Sequence, residues 1–118
     1  MTKLLALLLL VNVAFAADSY TGWVSDKACA GGRAQSGVYT GTNPDCAKRC
    51  IGEGETMVLV DDKAKTLYDV ANPALLKREV GNYVRVKGTL DKKSNTLNVE
   101  KVTLLQVGRA ACERKKLK

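Results

Sequence analysis

Four cysteines are the residues of this chain best suited to chemistry: Cys29, Cys46, Cys50 and Cys112. In short chains that work outside the cytosol, an even number of cysteines indicates structural disulfides, so two bridges are our first expectation. Cys46 and Cys50 are four residues apart, and on a helix a bond between them would strain disulfide geometry. We therefore expect Cys29 to pair with one of them, preferentially Cys50, and Cys112 with the other.

A thiolate metal site is the alternative for three of these residues. Cys29, Cys46 and Cys50 offer the sulfur ligands that soft ions such as copper(I) and zinc prefer. The Cys-x-x-x-Cys spacing is one residue longer than the Cys-x-x-Cys of zinc knuckles and of thiol–disulfide oxidoreductases. Structural disulfides are thus the first interpretation, with metal binding or thiol redox chemistry as the alternative.

Other catalytic chemistry is poorly represented in the sequence. The chain has no histidine, which excludes Ser-His-Asp and Cys-His catalysis and histidine-ligated zinc. Asp61, Asp62 and Asp91 fall in predicted turns, and no carboxylates are paired as an acid and a base. There is no phosphate-binding loop, nucleophile elbow or EF-hand pattern. We expect a non-enzymatic protein with no catalytic residue and no cofactor.

The segments that position the cysteines are predicted to be mainly strands. Strands are predicted over residues 19–24, 56–60, 66–70, 82–90 and 96–105. A two-turn helix over residues 43–52 carries Cys46 and Cys50, a second short helix covers residues 72–81, and residues 31–42 are predicted to be a loop. In the fourth strand Val84 and Val86 alternate with Arg85 and Lys87, which predicts one buried and one exposed face.

The order of these elements favours a small mainly-β fold. The last strand changes phase near Glu100-Lys101, where a β-bulge would restore its register. Five short strands with a helix between the third and fourth are typical of an OB-like barrel. A small open sandwich is the alternative.

The N-terminus predicts export. One basic residue, Lys3, precedes an apolar run that ends in Ala14-Phe15-Ala16, the small-x-small form of a cleavage site. We interpret residues 1–16 as a signal peptide cleaved near Ala16, because the run is shorter than the roughly 20 residues of a membrane span. Residues 17–118 then form one exported domain, periplasmic or secreted, with a basic C-terminal tail.

The charge balance suggests what such a domain binds. Lys and Arg number 19 against 12 Asp and Glu, a formal charge of +7. The candidate ligand residues are Lys48, Arg49, Tyr83, Arg85, Lys87, Lys92 and Lys93. Scattered solvated side chains are the first interpretation of these residues, and a weak site for an anionic ligand or envelope component is the alternative. Nucleic acid is a disfavoured partner for an exported protein, and Trp23 is predicted to pack against the core.

Two motifs resemble an uncharacterised family of small exported bacterial proteins. They are Gly22-Trp23-Val24-Ser25-Asp26-Lys27-Ala28-Cys29 and Cys46-Ala47-Lys48-Arg49-Cys50-Ile51, and the similarity runs from about Tyr20 to Val102. The resemblance implies an OB-like barrel and export. Many relatives carry a histidine near the position of Gly31-Gly32-Arg33, which would complete a metal site. This chain lacks that histidine and adds Cys112 to the three cysteines of the family.

Overall fold

The computed structural model describes residues 18–40 and 43–108. Its strands are β1 (Asp18–Asp26), β2 (Met57–Asp61), β3 (Thr66–Val70), β4 (Tyr83–Asp91) and β5 (Thr96–Gln106). Two helices, α1 (Lys27–Gln35) and α2 (Pro44–Gly52), lie between β1 and β2, and a 3₁₀ helix (Pro73–Glu79) lies between β3 and β4. The predicted signal peptide, the basic tail and Cys112 lie outside the described residues.

The five strands close into a barrel in the order β1-β2-β3-β5-β4. All neighbouring strands run antiparallel except β3 and β5, which pair in parallel through Asp69 with Thr96 and Val70 with Leu97. This confirms the predicted five-stranded, mainly-β barrel of OB-like order. The open sandwich was the wrong alternative, because β4 pairs with β1 and closes the ring.

The interior of the barrel is built by the alternation expected of half-buried strands. Val84 and Val86 of β4 are fully buried while Arg85 and Lys87 are exposed, as predicted. The register between β4 and β5 shifts where Lys87 pairs with Lys101 and the next residue of β4 pairs with Val99. The predicted bulge at Glu100-Lys101 is therefore confirmed, and it returns Val99 and Leu97 to the core.

Helix α1 replaces much of the loop predicted over residues 31–42. The side chain of Asp26 accepts a hydrogen bond from the backbone N–H of Cys29 and caps the helix. Ala30 packs against Val58 and Val60 on the outside of the barrel. The two adjacent glycines of α1 lower its intrinsic helix propensity, and we attribute its formation to this cap and this packing.

Helix α2 forms where it was predicted. Asn43 caps it by accepting a hydrogen bond from Cys46 N–H at 3.2 Å, and Pro44 occupies its first turn. Pro44 packs against Gly81, whose φ of +90° and lack of a Cβ permit the close approach. These contacts seat α2 against the barrel beside the start of β4.

The second predicted helix is a 3₁₀ helix that begins one residue after Asn72. The Asn72 side chain makes no capping bond there; its amide donates to the Val99 carbonyl at 2.7 Å and accepts from Val99 N–H at 2.8 Å. Asn72 thus pairs with β5 rather than with the helix that follows it. Within residues 18–40 and 43–108, no helix is long and apolar enough to cross a bilayer.

Candidate metal centre

Three cysteines come together between the two helices. Cys29 lies in the first turn of α1, and Cys46 and Cys50 lie one turn apart on α2. Their three Sγ atoms are all within 4.8 Å of one another, and Cys29 Sγ lies 3.5 Å from Cys46 Sγ. The caps at Asp26 and Asn43 begin the two helices three residues before Cys29 and Cys46, which fixes where these thiols lie. The structure therefore brings together the three cysteines that the sequence offered as alternative metal ligands.

The expected disulfides are not seen among these three residues. A bonded pair has its sulfurs about 2.05 Å apart, whereas the Cys29–Cys46 separation is 3.5 Å and all three thiols are free. The thiol in hydrogen-bonding contact with Cys29 is that of Cys46, not the Cys50 favoured from sequence. Cys112, which was predicted to pair with the remaining cysteine, lies outside the described residues.

The sulfur separations suit a thiolate-bound ion. Zinc–sulfur bonds of about 2.3 Å in tetrahedral geometry place two sulfurs about 3.8 Å apart. The observed range, from 3.5 Å for the Cys29–Cys46 pair to at most 4.8 Å, brackets that separation. The three side chains are half-buried, so an ion among them would be partly shielded from water.

A buried carboxylate lies beside the thiols. Asp26 is 0% exposed; one of its oxygens accepts the Cys29 N–H at 3.0 Å, and the other, Oδ1, has no hydrogen-bond partner in the described part of the chain. A buried carboxylate oxygen without a partner is costly unless a cation or donor reaches it. Asp26 thus brings a buried carboxylate with one unpartnered oxygen to this region.

The surroundings of Cys29 and Cys50 favour the protonated form of these two thiols by raising their pKa. The hydrogen bond with Cys46, then burial, and then the charge of Asp26 raise the pKa of Cys29 to about 12. Burial and the charge of Asp26 also raise the pKa of Cys50. These causes oppose thiolate formation without a nearby cation, which disfavours a permanently reactive thiolate nucleophile.

A cavity of about 480 Å³ opens beside the cluster. Cys29, Cys46 and Asp26 line it together with Gly32 and Arg33 of α1. Arg33 is half-buried and donates from Nη2 to the Thr40 carbonyl at 2.6 Å. Two thiols of the centre therefore face a space large enough for a small molecule.

The residues proposed from sequence to bind an anion lie in separate places. Arg85 and Lys87 border a shallow cavity of about 140 Å³ with Lys101 and Thr103. Tyr83 packs against Trp23, with ring centroids 5.0 Å apart, and its hydroxyl donates to Asp62 at 3.2 Å.

Trp23 also covers a small outer apolar cluster, which agrees with its predicted packing role. The remaining basic candidates are exposed: Lys48 and Arg49 on α2, and Lys92 and Lys93 in the turn after β4. Binding of an anion by any of these residues stays a prediction.

Three functional candidates were missed from the sequence: Asp26, Arg33 and Lys101. For Asp26 a signal existed, because an aspartate three residues before a cysteine is a typical N-cap pattern. Arg33 was assigned to a loop because the glycines before it obscured the helix. The sequence pattern placed Lys101 at the predicted β-bulge and gave no sign that it would lie beside Arg85 and Lys87.

No protein family, curated protein or solved structure matches this chain.

Proposed function

We propose that the protein is an exported, non-enzymatic binding module whose ligand is one thiophilic metal ion, zinc or copper(I), held by Cys29, Cys46 and Cys50. One observation carries this proposal: three Sγ atoms from two helices lie within 4.8 Å of one another without forming a disulfide. Three thiolates are a donor set that binds these ions in preference to magnesium or calcium.

The elements that carry the thiols support binding. Both helices are capped and packed on the barrel, α1 through Ala30 and α2 through Pro44 and Ala47. A site on packed helices loses little entropy when an ion binds, because its ligands are already positioned. The ion would release up to three thiol protons and would place a positive charge beside Asp26.

A disulfide between Cys29 and Cys46 is the second candidate, and their 3.5 Å separation favours it. Transfer of two electrons to a disulfide oxidant, with release of two protons, would join the sulfurs and link α1 to α2. The cysteines would then serve the structural role first expected from the sequence. The ligand of the module would in that case lie elsewhere, with the basic residues as candidates.

Metal titration of the reduced protein tests the proposal. Zinc under air-free conditions, with a competing chromogenic chelator, should bind with one ion per chain. The variants Cys29→Ser, Cys46→Ser and Cys50→Ser should each weaken binding by about 100-fold or more, because each removes a first-choice ligand. The matched control is Cys112→Ser, which should bind like the unchanged chain.

Two results would contradict metal binding. One is a chain that binds no ion when fully reduced, and the other is binding that survives the loss of any of the three thiols. A non-reducing intact mass of protein recovered from the envelope separates the candidates, because one disulfide lowers the mass by about 2 Da. The same spectrum tests export, since cleavage after Ala16 would leave a chain that begins at Ala17.

A further inference from the structure

Three thiols leave one position of a tetrahedral zinc ion to be filled. Zinc sites with three protein ligands keep that position open to water or to an external ligand, whereas closed structural sites have four protein ligands. Among the described residues, one group of side chains lies close enough together to hold a metal ion, and its members are Cys29, Cys46 and Cys50. The fourth ligand must therefore come from beyond this group.

The cavity of about 480 Å³ offers the approach for such a ligand. Cys29 and Cys46 line it, so an ion bound to them would border the same space. Asp26 lines it too and is fully buried, whereas Arg33 is half-buried and thus nearer to solvent. Of the described residues that line this cavity, Arg33 is the one cation.

We infer that the metal centre takes a small external thiol that carries a carboxylate, with its sulfur on the ion and its carboxylate on Arg33. This inference rests on the proposed function. The thiol loses its proton to solvent, its sulfur forms a bond to the ion, and the bond from the ion to a water molecule breaks. Guanidinium binds carboxylate through a charge-assisted fork of two hydrogen bonds, which gives the site its preference for acidic thiols.

Glycines of α1 allow the cavity to be filled without changing any ligand. A Cβ added at Gly32 meets no atom within 4 Å, and Gly32 lines the cavity, so Gly32→Phe would bring a bulky ring to the cavity lining without displacing a neighbouring atom. Gly31 also has open space around an added Cβ, yet it does not line the cavity. Gly31→Phe is therefore a matched control in the same helix.

The experiment uses the full chain loaded with cobalt(II), whose visible spectrum reports the ligands of a tetrahedral thiolate site. The probes are 3-mercaptopropionate and its neutral counterpart 3-mercaptopropanol. In the unchanged chain and in Gly31→Phe, the acid should shift the spectrum saturably, and the native mass should show one ion and one thiol per chain. It should bind about tenfold more tightly than the alcohol, a difference of about 1.4 kcal/mol, because the alcohol cannot form the charge-assisted fork with Arg33.

The variants decide whether the cavity and Arg33 are responsible. Gly32→Phe should weaken binding of both thiols by about tenfold or more, since it removes the space that they enter. Arg33→Met should abolish the preference for the acid, and Arg33→Lys should restore part of it. All three variants should bind cobalt itself as the unchanged chain does.

Several outcomes would overturn the inference. A spectrum unchanged by either thiol would mean that the fourth position is already closed, for example by Asp26 or Cys112. Removal of the ion by the thiol, equal binding of acid and alcohol, or equal binding in Gly32→Phe and Gly31→Phe would also refute it. Failure of the unchanged chain to bind cobalt would instead refute the proposed function, which keeps the two failures distinct.

Discussion

The carboxylate of Asp26 accepts a hydrogen bond from the backbone N–H of Cys29 at 3.0 Å, so one buried side chain both starts helix α1 and lies beside the thiol centre. Asp26 is also the last residue of β1, where it pairs with Met57 of β2. The barrel, helix α1 and the three-thiol cluster are thereby joined at one residue.

Asp26→Asn should weaken zinc binding while leaving the metal-free fold intact. Asparagine keeps an oxygen to accept the Cys29 N–H but removes the buried negative charge. Loss of such a supporting group typically lowers metal affinity by about 10–100-fold. Competition titration checks the affinity, with Asp91→Asn as a control because Asp91 is the exposed last residue of β4. Equal zinc affinities of Asp26→Asn and the unchanged chain would refute a role for this charge.

Zinc affinity should rise with pH across the neutral range. The pKa of Cys29 is raised to about 12 and that of Cys50 is also raised, so these thiols carry protons before the ion arrives. Zinc must displace those protons, and each proton released changes the apparent affinity by roughly tenfold per pH unit. Calorimetry in buffers of different ionisation enthalpy counts the protons released. An affinity independent of pH would show that thiols are not the ligands.

Asn72→Ala should destabilise the barrel. It removes two hydrogen bonds to Val99, whose backbone would then lack both partners at a position that is 2% exposed. The cost should be about 2–5 kcal/mol in the free energy of unfolding, because each orphaned buried group costs about 1–3 kcal/mol. Urea unfolding measures it, with the exposed Asn98→Ala as a control. A loss no larger than that of the control would show that these bonds contribute little.

Two glycine substitutions should change stability in opposite directions. A Cβ at Gly22 would collide with the backbone carbonyl of Val60 on the paired strand, so Gly22→Ala should cost about 1–3 kcal/mol. A Cβ at Gly31 has open space inside α1, and Gly31→Ala should add roughly 0.5–1 kcal/mol. Thermal unfolding at neutral pH compares them. Destabilisation by Gly31→Ala would contradict the helix observed where a loop was predicted.

Lys101→Glu should stabilise the protein at low salt. Lys101 lies directly opposite Lys87 in the β4–β5 register, and like charges in that arrangement are unfavourable. An opposite charge should contribute about 0.2–1 kcal/mol, which screening by salt should remove. Lys63→Glu in the exposed turn after β2 is the control. A gain that persists at high salt would have another cause.

The strands were predictable from sequence because their information is local and periodic, whereas closure of the ring through β1 and β4 was not, since the periodicity left an open sandwich as the alternative. Alternation in β4, the Asn-Pro helix start before Cys46, and the phase change near Lys101 each specify a feature without knowledge of distant residues. Helix α1 was not predictable in the same way, because Gly31 and Gly32 argue against it while the packing of Ala30 on β2 argues for it. Tertiary contacts outweighed propensity at that segment.

The three cysteines of the candidate site were singled out from sequence, but their arrangement was not predictable. Four cysteines in a short chain favour disulfides on general grounds, and no spacing rule shows that the sulfurs of Cys29, Cys46 and Cys50 would all lie within 4.8 Å of one another. That arrangement depends on how α1 and α2 pack on β1, which is a long-range property of the fold. Arg33 lies one turn after Cys29 on α1 and lines the same cavity, which the loop predicted for this segment did not anticipate.

X-ray absorption at the zinc edge of the loaded full chain tests the central claim most directly. The account predicts three sulfur neighbours at about 2.3 Å and a lighter atom in the fourth position, for both the unchanged chain and Cys112→Ser. Two or fewer sulfurs, or a sulfur number that falls when Cys112 is replaced, would contradict a centre built from Cys29, Cys46 and Cys50.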